Sequence, residues 1–94
     1  MIEHRITITN DHGLHARPCT MIVKAAIKYR SDFQIILESE DMYINGKSVL
    51  SMLQLAAPKG TELVLKADGV DEEYLMEEIV RMFEENFEKE KLQA

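Results

Sequence analysis

The sequence predicts an α+β fold in the order β-α-β-β-α-β-α, an open-faced sandwich with three helices on one face of a four-stranded antiparallel sheet. The other sheet face is expected to meet water. Three observations support this. Residues 2–9 alternate with the two-residue period of a strand. Two stretches, starting near Ala16 and near Val70 or Asp71, repeat apolar residues at helical spacing. Between them, turn-forming residues mark off three more short strands and a brief helix. Ninety-four residues are enough for one two-layer core, so one domain over 1–94 is expected, with 88–94 as a frayed tail.

Each element has its own signal. Ile2, His4, Ile6 and Ile8 form the expected inward set of the first strand, against Glu3, Arg5, Thr7 and Thr9. Asn10 to Gly13 supplies turn residues, and Pro18 falls in the first helical turn, where a missing N–H is tolerated. The first helix runs from near Ala16 to between Tyr29 and Asp32. Its inward stripe is Cys19, Ile22, Val23, Ala26 and Ile27, with Arg17, Met21, Lys24 and Lys28 on the opposite side. Phe33 to Glu38 and Met42 to Asn45 read as a hairpin around the acidic turn Glu38 to Asp41. Val49 to Ala57 suits a brief helix stopped by Pro58 and Gly60. Thr61 to Ala67 is the fourth strand, with Asp68 and Gly69 as its exit turn. The last helix buries Leu75, Ile79, Met82 or Phe83, and Phe87, and its acidic first turn suits the helix dipole.

Charge narrows the function. Residues 1–70 carry eight acidic and eight basic side chains, whereas 71–94 carry nine acidic and three basic, so the whole net charge of −6 lies in the last quarter. A nucleic-acid partner needs a basic surface that this chain lacks. No apolar run approaches the length of a membrane span, and the N-terminus alternates like a strand instead of forming a signal peptide. A soluble cytoplasmic monomer is therefore expected. A lone cysteine agrees with a reducing compartment.

The chemistry concentrates in Asn10-Asp11-His12-Gly13-Leu14-His15-Ala16-Arg17-Pro18-Cys19-Thr20, at the start of the first helix. His15 directly precedes the first turn, where unpaired backbone N–H groups and the helix dipole favour an anion. A neutral imidazole is a nucleophile, so His15 can accept a phosphoryl group and hold it against those donors, with Arg17 adding positive charge. Gly13 allows backbone conformations beside the ring that other residues resist. The competing structural reading makes His15 a capping-region residue and leaves Arg17 solvated. Met21, set in a basic stripe beside this site, suggests a docking surface.

The run Gly13 to Pro18 resembles the phosphorylation-site signature of the HPr family, the histidine-containing phosphocarriers of the bacterial phosphotransferase system. Asn45 to Leu53 resembles that family's second signature at the matching distance downstream, and the likeness covers residues 2 to about 87. It implies that His15 takes phosphate on Nδ1 from phosphorylated Enzyme I and passes it to an EIIA-type protein, in sugar uptake or its regulation. Arg17 then matches the arginine that stabilises the phosphoryl group, and Ser48 the serine modified by an HPr kinase/phosphorylase. Met21, Val49, Leu50, Met52 and Leu53 fall in segments used for partner binding, and Lys24 and Lys28 extend that surface. Position 52 or 53 can instead face the core. A nitrogen-type regulatory carrier and a non-transporting, HPr-like binding protein are the alternatives. Retention of His15, Arg17 and Pro18 favours a working carrier, a substrate that shuttles and not an enzyme.

Other residues are read more plainly. Ser48 also suits a helix cap, and Cys19 a small buried hydrophobe. His12, His15 and Cys19 raise the question of a metal. However, His15 precedes the helix while Cys19 belongs to its buried stripe, and no further ligand is spaced to complete a tetrahedral set. No metal and no cofactor is expected. His12 is a turn residue near the site, and His4 a strand residue without a visible partner.

Overall fold

The computed structural model describes residues 1–55 and 57–88. The strands are β1 (Ile2–Thr7), β2 (Asp32–Leu37), β3 (Met42–Asn45) and β4 (Glu62–Asp68). The helices are α1 (Ala16–Ala26), α2 (Val49–Met52) and α3 (Glu72–Glu84), with one 3₁₀ turn at Glu38–Glu40. The sheet order is β1-β4-β2-β3 and every pairing is antiparallel. This is the expected open-faced sandwich. The hairpin between β2 and β3 closes where Asp41 adopts a left-handed conformation, φ 53°, which a short acidic side chain tolerates. The 89–94 part of the expected frayed tail lies outside the described residues.

Register explains which faces are buried. Ile35 pairs with both Leu65 and Ile44, and Phe33 with Ala67, placing these side chains with Leu63 and Leu37 on the helix-covered face. Their neighbours Glu3, Lys66, Gln34 and Asn45 form a polar row across the opposite face. That face is not uniformly wet: Ile36 and Val64, opposite each other in the ladder, are buried at 8% and 4% exposure. His4 departs from its strand pattern. It shares the inward parity of Ile2 and Ile6 but is exposed, because β1 is an edge strand that the helices do not fully cover.

The helices correct three expectations. Met21 is buried at 9% exposure in the core, whereas Ile27 is 59% exposed. α1 packs against both α2 and α3, so its buried arc is wide enough to take in Met21, and the helix ends at Ala26, one residue before Ile27. Met52 is fully buried and its neighbour Leu53 is 52% exposed, so Met52 is the core residue of that pair. α3 stops at Glu84, short of Phe87. Asn86 and Phe87 then take positive φ, 52° and 60°, and the resulting turn returns the Phe87 ring to the core, edge-on to Phe83 at 4.9 Å. Phe83 is the inward member of its pair, with Met82 partly buried, and Met76 joins the stripe unforeseen.

α3 is anchored to the turn after α1 through two residues far apart in sequence. The Asp71 carboxylate accepts from Arg30 N, Ser31 N and Ser31 Oγ at 2.9, 2.9 and 2.6 Å, and Asp71 N donates back to Ser31 Oγ at 3.2 Å. Ser31 is the buried polar side chain at the centre of this latch. Its neighbour Gly69 leaves no room for a side chain, since an added Cβ would stand 2.5 Å from Ser31 Oγ.

Candidate functional site

The loop before α1 is built by a few backbone bonds. Gly13 N donates to Asn10 O at 3.1 Å, and Asn10 Nδ2 donates to Gly13 O at 2.7 Å, locking residues 10–13 into a turn. Gly13 sits at φ +64°, and a Cβ there would lie 2.4 Å from Ala57 O, so position and space both demand glycine. Leu14 is buried and its N–H reaches the same carbonyl at 2.8 Å, fixing the loop to the segment before β4. The next residue is therefore delivered to one place.

That residue is His15. It occupies the cap position of α1 with extended backbone, and its carbonyl accepts from Cys19 N at 3.1 Å while its side chain makes no capping bond. The first turn contains no acidic residue and Pro18 brings no N–H, so the free donors at this end are the backbone N–H groups of Ala16 and Arg17. His15 and Arg17 are both exposed, and among the described residues no carboxylate pairs with Arg17. The two line one open groove together with Thr9, His12, Asn86, Phe87 and Glu88. An exposed imidazole, an unpaired guanidinium and an uncapped helix mouth can together hold an anion.

The contribution of the turn after α3 was missed by sequence reasoning. Thr9 Oγ1 donates to Asn86 Oδ1 at 2.7 Å, tying the start of the loop to the turn that follows α3. The available signal was Asn86 itself, since asparagine after an amphipathic helix commonly marks a left-handed stop.

The second motif lies beside the first. Ser48 caps α2, its Oγ accepting from Ser51 N at 3.2 Å, as its structural reading expects. Gly46 lies against the Phe33 ring, where an added Cβ would stand 2.1 Å from Phe33 Cδ2, so no larger residue fits without moving that ring. Lys47 Nζ donates to Tyr29 O at 2.7 Å and closes the turn after α1. Val49 and Leu50 are 39% and 79% exposed, which leaves them with Leu53 as the apolar surface of α2, while Met21 and Met52 are withdrawn from it by burial. Lys24 and Lys28 are exposed, and Lys28 forms an ion pair with Glu78 at 2.8 Å. Cys19 points inward, its thiol donating to Met52 O at 3.5 Å and its pKa raised by burial, so it diverges from the exposed His15 as expected.

The fold and groove together define a small open-faced sandwich that presents a histidine at a helix mouth suited to an anion. Comparison with known proteins gives this class a family. Residues 2–85 match the family model described as "PTS HPr component phosphorylation site". The chain is 34% identical to the phosphocarrier protein HPr of Xylella fastidiosa over 96% of this chain and 99% of that protein. It is 36% identical to the HPr of Treponema pallidum over 96% and 100%. It is also 32% identical to the HPr-like protein Crh of Bacillus subtilis over 90% and 98%. The crystal structure of an HPr from Thermoanaerobacter tengcongensis superposes with a TM-score of 0.85 at 34% identity, covering 95% of this chain and 98% of that one. The chain belongs to the HPr family of phosphotransferase-system phosphocarriers. Among the described residues no helix is long and apolar enough to cross a membrane.

Proposed function

We propose that this protein accepts a phosphoryl group on His15 from phosphorylated Enzyme I and passes it to an EIIA-type protein. The observation that carries this reading is the placement of an exposed His15 at an uncapped helix N-terminus with Arg17 in the same groove. In the first transfer a nitrogen–phosphorus bond forms at the imidazole as the donor's bond to phosphorus breaks, and the second transfer reverses this at His15. The backbone N–H groups of Ala16 and Arg17 and the Arg17 guanidinium face the negative charge in both steps. The protein supplies a carrier and a docking surface, while the partners supply the remaining catalytic groups.

Val49 and Leu50 form the apolar part of that docking surface, with Lys24 and Lys28 as its basic part. Ser48 is the regulatory position in this reading. A kinase that adds about two negative charges there places them at the mouth of α2, where the helix dipole favours them, and within the surface that receives partners. Docking weakens without unfolding α2. Incubation with Enzyme I and labelled phosphoenolpyruvate, followed by acid treatment, tests the carrier role: an acid-labile label supports it, and an unlabelled protein refutes it. Similarity to Crh supports the second reading, a regulatory binding protein, and the retained His15 favours the carrier.

A further inference from the structure

The turn before α1 has no structural use for a histidine at its third position. Its closing bonds run between Asn10 and Gly13, leaving Asp11 and His12 as central residues, where most side chains are tolerated. The His12 side chain is exposed and takes no part in the core. Its ring instead stands at 88° to that of His15, with centroids 6.1 Å apart, and both rings line the same groove. The oxygens of a phosphoryl group on a His15 nitrogen lie two bonds beyond that ring, a reach comparable with the 6.1 Å between the ring centroids.

We propose that His12 is a second histidine of the phosphoryl site, binding a proton when His15 is phosphorylated and donating a hydrogen bond, as an imidazolium, to a phosphoryl oxygen. This rests on the reading of His15 as the acceptor. The proton comes from solvent as the nitrogen–phosphorus bond forms, and it returns to solvent when that bond breaks in the onward transfer. No electron changes hands.

Charged groups surround His12. Asp11, next in sequence, is held below the usual carboxylate range chiefly by its hydrogen bond and ion pair with Lys59 at 2.9 Å, so it remains ionised beside the His12 ring. Glu88 and Arg17 are the other charged groups lining the groove, and Lys59 stands behind Asp11. The phosphoryl group adds about two negative charges, more than any single side chain there, and tips the balance toward protonation. By linkage, a group that binds a proton more tightly in the phosphorylated state makes phosphorylation more favourable at low pH.

The test uses the full chain, phosphorylated by Enzyme I and phosphoenolpyruvate. Nuclear magnetic resonance follows the His12 ring through a pH titration in the free and phosphorylated protein. The midpoint is expected to rise by about one pH unit on phosphorylation. In His12→Gln, whose amide spectrum checks the fold, the equilibrium constant for phosphorylation is expected to fall by about tenfold at pH 6 relative to wild type and to match it at pH 9. An identical His12 midpoint in both states, or a wild-type to variant ratio that does not change with pH, overturns the inference while leaving the carrier role intact. Failure of His15 to take phosphate in either protein refutes the carrier role itself, and the inference with it.

Discussion

The Cys19 thiol donates to the Met52 carbonyl at 3.5 Å, and this buried contact joins the helix whose cap position is His15 to the helix whose cap position is Ser48. Each partner lies one helical turn from its motif residue: Cys19 N donates to His15 O at 3.1 Å, and Met52 N to Ser48 O at 2.9 Å. Two sequence motifs more than 30 residues apart are thereby held on adjoining helices.

Met52 and Leu50 should therefore behave oppositely when changed. Met52→Ala removes a fully buried side chain from the junction and should destabilise the fold by about 2–5 kcal/mol. Leu50→Asp alters a side chain that is 79% exposed, so stability should hold within about 0.5 kcal/mol, while binding to unphosphorylated Enzyme I weakens several-fold. Denaturant melts and titration calorimetry on both variants read the two effects. A destabilised Leu50→Asp, or one with unchanged binding, contradicts this assignment.

Gly13 makes a second demand that can be measured. Alanine there must adopt φ +64°, at a cost of about 1–2 kcal/mol, and must also relieve a 2.4 Å approach to Ala57 O. At roughly 4–8 °C per kcal/mol for a chain of this size, the melting temperature of Gly13→Ala should fall by several degrees. Because the strained loop carries His15, phosphoryl transfer should slow in the same variant at temperatures where it remains folded. Unchanged melting would show that the loop can relax.

Asp71 gives the fold a pH dependence of known sign. The Ser31 hydroxyl, the Arg30 N–H and then the Ser31 N–H lower its pKa from 3.8 to about 2. A carboxylate depressed by folding stabilises the native state fully above its unfolded value and loses that contribution as pH falls through the folded value. Thermal melts from pH 5 to pH 2 should show a progressive loss of stability, and Asp71→Asn should flatten that part of the curve. A variant with the wild-type slope would place the acid sensitivity elsewhere.

Much of this was legible in the sequence where local pattern and tertiary burial agree. The strands at Phe33 to Glu38 and Thr61 to Ala67, the glycine turn at Gly13 and the cap at Ser48 are local signals that the fold keeps. Burial of Met21 and exposure of Ile27 were not legible, because a helical wheel does not reveal that α1 has a helix on each flank. His4 follows the same logic: its alternation reads correctly as strand, but coverage depends on its place at a sheet edge. At the site, His15 and Arg17 were visible as residue types two positions apart, whereas Asn86 and Phe87 reach the groove only because α3 returns to it.

The most direct measurement is the location of the phosphoryl group after reaction with Enzyme I and phosphoenolpyruvate, compared among wild type, His15→Ala and Arg17→Ala. Phosphate on the His15 ring of the wild type, none on the folded His15→Ala variant, and slowed transfer by folded Arg17→Ala are the expected results. Persistent labelling of His15→Ala would contradict the account and move the acceptor to another residue.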